Sequence, residues 1–214
     1  MKSLFVEARW IGKIEPVIEK AIKLLPKKVG LITTIQHKHE LKKIKEMIEK
    51  SGRKAVIGGQ ILGCDVSNAK KIEKEVDAFL YIGSGEFHPL GVALETNKEV
   101  IKANPLANEI SKIKKEDVEA YNKRQKGALL RFLSSKEIGI LVSTKPGQEN
   151  LKKALELKNK IKDKNCYIFA ADTINEAEFE NFPFIECWIN TACPRFADHK
   201  KGVVNYELVE KTIK

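Results

Sequence analysis

The feature that most constrains this chain is a plan that occurs twice: a short unalternating apolar burst, a polar loop, an amphipathic run and a second apolar burst. Lys28-Val29-Gly30-Leu31-Ile32-Thr33-Thr34 leads into a helical run ending at Ser51-Gly52, and Lys54-Ala55-Val56-Ile57-Gly58 follows. Ile138-Gly139-Ile140-Leu141-Val142-Ser143-Thr144 leads into a run ending near Lys164, and Cys166-Tyr167-Ile168-Phe169-Ala170 follows. Bursts without polar alternation predict parallel strands covered on both faces. The first run carries Leu41, Ile44, Met47 and Ile48 on one stripe and the second Leu151, Ala154, Leu155 and Ile161, so each helix is expected to bury one face.

Further strands are predicted at Ala78 to Gly83 and Ile185 to Asn190, and helices on Val17, Ile18, Ala21, Leu24 and Leu25 and on Val66, Ala69, Ile72 and Val76. Phe5 to Trp10 reads as an opening strand. This alternation predicts an α/β fold of two similar domains with parallel sheets flanked by helices. The boundary is expected in the polar stretch from Ala107 to Ser135, dividing 1–110 from 111–214, with the charge run Lys112 to Glu119 as a solvated connector helix.

At 214 residues and 43% hydrophobic composition, the chain can bury a sizeable core. No apolar run approaches the roughly 18 residues that cross a bilayer, and the first ten residues lack the apolar stretch of a secretion signal. A cytoplasmic protein without membrane contact is expected. Lysine and arginine outnumber aspartate and glutamate 39 to 29, an excess that could attract nucleic acid or an acidic partner. Stretches such as Lys42-Lys43-Ile44-Lys45-Glu46 instead mix lysine with apolar and acidic residues, as solvated helix faces do, and interleaved aromatics are missing.

The four cysteines, Cys64, Cys166, Cys187 and Cys193, form no C-x-x-C pair. Cys166 and Cys187 fall in or beside apolar strand segments and read as core residues. Cys64 follows a strand in Gly59-Gln60-Ile61-Leu62-Gly63-Cys64-Asp65, just ahead of a helical stripe whose amides would favour a metal-binding thiolate. Cys193, in Thr191-Ala192-Cys193-Pro194-Arg195, follows a strand of the second domain, where Pro194 stops the ladder. Cysteines on corresponding loops suit a thiolate centre, zinc or redox chemistry, and equally a small buried residue in a tight turn. Two more loops stand past strand ends. Gly83 to Gly91 offers small residues, Ser84 and His88, and Ser143 to Gln148 offers the cation of Lys145 and the amide of Gln148, suited to a carboxylate or phosphate.

Taken together, Gly59-Gln60-Ile61-Leu62-Gly63-Cys64, Gly83 to Gly91, Lys145-Pro146-Gly147-Gln148 and Asn190-Thr191-Ala192-Cys193-Pro194-Arg195 resemble, in order and spacing, the motifs of the archaeal diphthamide synthase iron-sulfur subunit. That resemblance implies three related α/β domains that each give one cysteine to a 4Fe-4S cluster. It also implies a dimer that cleaves S-adenosylmethionine and transfers a 3-amino-3-carboxypropyl group, as a radical, to a histidine of translation elongation factor two. Carried over residue by residue, Cys64 and Cys193 are metal ligands, and Gln60, Ser84, His88, Lys145, Gln148 and Arg195 are candidates for the cofactor's surroundings. The family's first domain has no counterpart in the chain, so a separately encoded N-terminal part is expected to supply a third cysteine in a homo- or hetero-oligomer. The competing expectation is a non-catalytic partner that binds the elongation factor or supports another cluster-bearing subunit.

Overall fold

The computed structural model describes residues 4, 6, 8–199 and 202–213 and divides them into two units, Met1–Val118 and Glu119–Lys214. In the first unit the order is α1 (Glu15–Ile22), β1 (Lys28–Thr33), α2 (Leu41–Lys50), β2 (Lys54–Gln60), α3 (Ser67–Ile72), β3 (Ala78–Ile82), α4 (Phe87–Thr96), β4 (Val100–Asn104) and β5 (Glu109–Lys112). Helix α5 (Lys115–Ser134) crosses into the second unit, which continues with β6 (Glu137–Ser143), α6 (Leu151–Lys160), β7 (Asn165–Ala171), β8 (Cys187–Asn190), β9 (Val203–Asn205) and α7 (Tyr206–Thr212). The sheets run β2-β1-β3-β4-β5 and β7-β6-β8-β9. All pairs are parallel except β4 with β5. The α/β plan with parallel sheets flanked by helices is the observed one, and each unit places its first strand at the centre of a 2-1-3-4 order.

Both faces of each sheet are covered. In the first unit, Val17, Ile18, Ala21, Leu41, Ile44 and Ile48 pack on one face against Val29, Leu31, Leu80 and Ile82. On the other, Val66, Ala69 and Val92 meet Ile32, Phe79 and Tyr81. The second unit packs Ala128, Phe132, Ala154, Leu157 and Val209 on one face, and Ile185, Trp188, Ala197 and Val203 with several phenylalanines on the other. Each fully buried large side chain contributes roughly 1.5–3 kcal/mol of transfer free energy. Helix α2 stops where Gly52 takes φ 82, a left-handed conformation that glycine accepts without a steric penalty.

One packing device occurs in both units. Gly30 of β1 stands in register with Phe79 of β3, and Gly139 of β6 with Trp188 of β8. A Cβ at Gly30 would lie 2.7 Å from the Phe79 ring and one at Gly139 would lie 2.4 Å from the Trp188 ring. Each glycine is therefore the seat of an aromatic ring from the neighbouring strand.

Several expectations are corrected. The units divide at Val118, within the expected stretch Ala107 to Ser135 but later than residue 110, because β5 pairs antiparallel with β4 and draws residues 109–112 into the first unit. Of the connector run, Lys112 ends β5 and Lys115 to Glu119 open a helix of 20 residues whose Ala128 and Phe132 enter the second core. On α6 the buried stripe is Ala154 and Leu157, continued by Ile161, so Ala154 and Ile161 of the expected stripe are buried, whereas Leu151 and Leu155 are 43% and 46% exposed. Of the expected opening strand, Phe5 and Glu7 lie outside the described residues, and Ala8 to Trp10 make no strand.

Gly139→Ala must displace a Trp188 ring already stacked on Phe179 at 4.3 Å and edged by Phe169 at 4.8 Å. Overpacking of this kind costs about 1–3 kcal/mol, and a lowered urea midpoint with unchanged slope is the expected result. His37, 4% exposed after β1 and edged against Trp10, has its pKa lowered chiefly by burial and then by His39, with Glu40 opposing. Its neutral form is favoured in the fold, so its stabilising contribution is complete above the ordinary value of 6.5 and is lost as pH falls below it. His37→Phe should flatten the loss of stability on acidification, measured by thermal unfolding at successive pH values.

Candidate functional site

Loops that follow parallel strands emerge at the carboxyl edge of the sheet, and the crevice opens where the strand order reverses, here beside β1 and beside β6. In the first unit β2 reaches that edge through a register shift opposite Leu31 and Ile32, at Gly58-Gly59, where Gly59 has φ 95. The bulge re-aims the last residue of the strand, half-buried Gln60, whose carbonyl accepts a bond from Asn68 Nδ2 at 2.8 Å. The chain then makes a tight turn closed by reciprocal backbone bonds between Leu62 and Asp65, with Gly63 and exposed Cys64 at its tip. The Phe87 ring fills the space a side chain at Gly63 would need, so the Cys64 turn packs on the start of α4.

Asp65 Oδ1 accepts the backbone N–H of Ser67 at 2.9 Å, and this bond holds the Asp65 carboxyl below its usual range. Asp65 thus precedes Val66, the N-cap of α3, and takes up the first amide of the helix. From β3, Ser84 is exposed in the connecting loop, and half-buried His88 lies in the first turn of α4, its ring stacked over Tyr81 with centroids 6.2 Å apart. Burial pushes the Tyr81 hydroxyl up to about 12, so it remains a neutral donor, directed at the Ser84 carbonyl at 3.4 Å.

In the second unit the loops after adjacent strands β6 and β8 come together. Asn150 Nδ2 donates to the Thr191 carbonyl at 2.8 Å and to the Gln148 carbonyl at 3.3 Å, tying the loop of Lys145 and Gln148 to the loop of Cys193 and Arg195. Thr191 Oγ1 donates back to the Leu141 carbonyl at 2.7 Å. Cys193 and Arg195 are half-buried, Lys145 is half-buried and Gln148 is exposed. The Cys193 segment is braced from below by two buried amides. Asn190 Nδ2 donates to the Cys193 carbonyl at 2.9 Å and to Asn205 Oδ1 at 2.8 Å, Asn190 Oδ1 accepts from the Ala192 N–H, and Asn205 Nδ2 donates to the Pro194 carbonyl at 2.9 Å.

The remaining cysteines are of a different kind. Cys166 and Cys187 are buried in the second core, and burial raises both thiols, that of Cys187 to about 12. Neither is suited to exist as a thiolate. Among the described residues no group of three or more His, Cys, Asp or Glu converges on a metal-sized position. Cys64 and Cys193, each on a strand-end loop of its own unit, are of the donor type that iron-sulfur centres use, but neither loop by itself offers enough thiolates to hold one.

Sequence reasoning missed Asn205, Asn150, His37 and the Lys102–Glu86 pair beneath the β3–α4 loop. Lys102 did leave a signal, a lone charge within the apolar stretch Val100-Ile101-Lys102-Ala103. The asparagines left none, since their roles depend on strand pairing. Asn190→Ala strands the Ala192 N–H and an Asn205 amide oxygen, and should cost about 1–3 kcal/mol. Hydrogen exchange should show faster exchange at the Ala192 amide in particular, beyond the general loss of stability.

With this geometry in view, the sequence pattern of diphthamide synthesis proteins matches residues 1–201. A 2-(3-amino-3-carboxypropyl)histidine synthase from Pyrococcus horikoshii is 35% identical over 185 residues, 81% of this chain and 52% of that protein. The protein of the same name from Methanocaldococcus jannaschii is 31% identical, over 88% of this chain and 51% of its own length. Among solved structures, Dph2 from Pyrococcus horikoshii superimposes with a TM-score of 0.82 at 31% identity, covering 94% of this chain and 62% of that one. Its form with a 4Fe-4S cluster gives 0.80 at 32% identity, covering 94% and 61%. The chain spans about half the length of the curated relatives it matches. No helix among the described residues is long and apolar enough to cross a membrane. By its pattern and its fold, the chain belongs to the diphthamide synthesis family.

Proposed function

We propose that this chain is the part of a 3-amino-3-carboxypropyl transferase that carries two of three cysteine ligands to a 4Fe-4S cluster, Cys64 and Cys193. The observation that carries the proposal is the sorting of the four cysteines: two on strand-end loops, two in the core with raised thiols. When bound, such a cluster supplies the electron that cleaves S-adenosylmethionine. The acceptor is a histidine of translation elongation factor two, in the cytoplasm. Because Cys166 and Cys187 are buried, the third thiolate comes from outside these 214 residues, on an N-terminal part that corresponds to the family's first domain, within a homo- or hetero-oligomer.

The chain's own residues hold and orient. The Leu62–Asp65 turn presents Cys64, and the Asn190 and Asn205 amides fix the backbone on which Cys193 stands. Fixing the atoms behind a ligand sharpens its geometry and tunes the centre it holds. Lys145 and Arg195 offer cations to the carboxylate of the cofactor's methionine part, with Gln148 as an amide donor. Gln60, Ser84 and His88 offer hydrogen-bond donors and acceptors on the first unit's edge.

Anaerobic reconstitution together with the N-terminal part tests this reading. Cys64→Ser and Cys193→Ser should each lose bound iron and sulfide and abolish modification of the elongation factor, while Cys166→Ala retains the cluster once stability loss is allowed for. Omitting the N-terminal part should lower cluster content severalfold. Equal cluster content and activity in the two cysteine variants would overturn the assignment and favour the non-catalytic partner.

A further inference from the structure

Lys102 brings a charge into the interior of the first unit. It is 8% exposed on β4, between buried Ile101 and Ala103 and in register with Tyr81. Its ammonium meets Glu86 Oε1, yet the Glu86 side chain is 65% exposed. The pair is lopsided: the cation is anchored in the sheet, while the anion rides on the loop between β3 and α4. Gly83 and Gly85 in that loop take φ 148 and 74, conformations that glycine alone adopts readily. Glu86 also occupies the N-cap of α4 without making a side-chain capping bond, because its carboxylate is turned to Lys102.

A buried ammonium requires a negative partner, whereas a mostly hydrated carboxylate gains little from an ion pair. Exchanging the Glu86 carboxylate for one brought by a ligand would leave Lys102 satisfied and return Glu86 to water. We propose that Lys102 is the cation of a binding site for a small carboxylate, which Glu86 fills as an internal stand-in. The site lies at the carboxyl end of parallel strands β3 and β4, where sheets of this topology receive ligands, and the first turn of α4 favours the same sign of charge. One ammonium balances the single charge of a carboxylate and leaves a phosphate dianion half-compensated. The exposed Ser84 hydroxyl on the same loop is available as a further donor. This inference needs only the first unit's loop and holds or fails independently of the cluster assignment.

The test uses the full chain and acetate as the probe, at constant ionic strength set with chloride. Backbone amide signals of 83–90 are followed by NMR during titration of wild type, Glu86→Gln and Lys102→Met. Saturable acetate shifts are expected in wild type and roughly tenfold tighter in Glu86→Gln, a factor equal to about 1.4 kcal/mol. No saturation is expected in Lys102→Met. Should that last variant fail to fold, the comparison of wild type with Glu86→Gln decides alone. Equal affinity in those two, shifts that chloride reproduces, or tighter binding of inorganic phosphate than of acetate would each overturn the proposal.

Discussion

Each sheet is organised around a central strand, β1 or β6, that is hydrogen-bonded along both edges and covered on both faces. Such a strand has no route to solvent except at its ends, so every polar function must gather at an edge of the sheet. The glycine at its middle lets the aromatic ring of the next strand lie against the backbone, Phe79 over Gly30 and Trp188 over Gly139. The ladder hydrogen bonds set how far β3 and β8 stand from the centre, and the absent Cβ lets their rings settle flat on it. The loops that follow these strands carry His88 in one unit and Cys193 in the other.

Much of this was legible because burial on both faces writes itself into sequence as unbroken apolar runs. β1, β2, β3, β6, β7 and β8 all lie where such runs occur. β4 escaped because Lys102 interrupts its run, and its compensation by Glu86 is a matter of loop geometry rather than of spacing. β9 escaped because its three residues are too few to show a pattern. On α6, Leu155 and Leu157 are equally apolar, and only the packed helix decides which of them is buried.

The two loop cysteines were found by position, but their surroundings were not. Asp65, directly after Cys64, shows no role in the sequence, and only the bond it accepts from Ser67 ties its carboxylate to the start of α3. Asn190 and Asn205 lie fifteen positions apart and act together only because β8 and β9 are paired. Residues that touch a ligand leave local motifs, whereas residues that hold those residues in place are specified by the fold.

The Cys193 loop rests on carboxamides, which carry no charge at any physiological pH and feel no counterion screening. The β3–α4 loop rests instead on an ion pair whose carboxylate stands in solvent, and such a pair weakens as salt rises. The two halves of one duplicated architecture are therefore tuned differently. The geometry of one loop is indifferent to the composition of its medium, and that of the other responds to it.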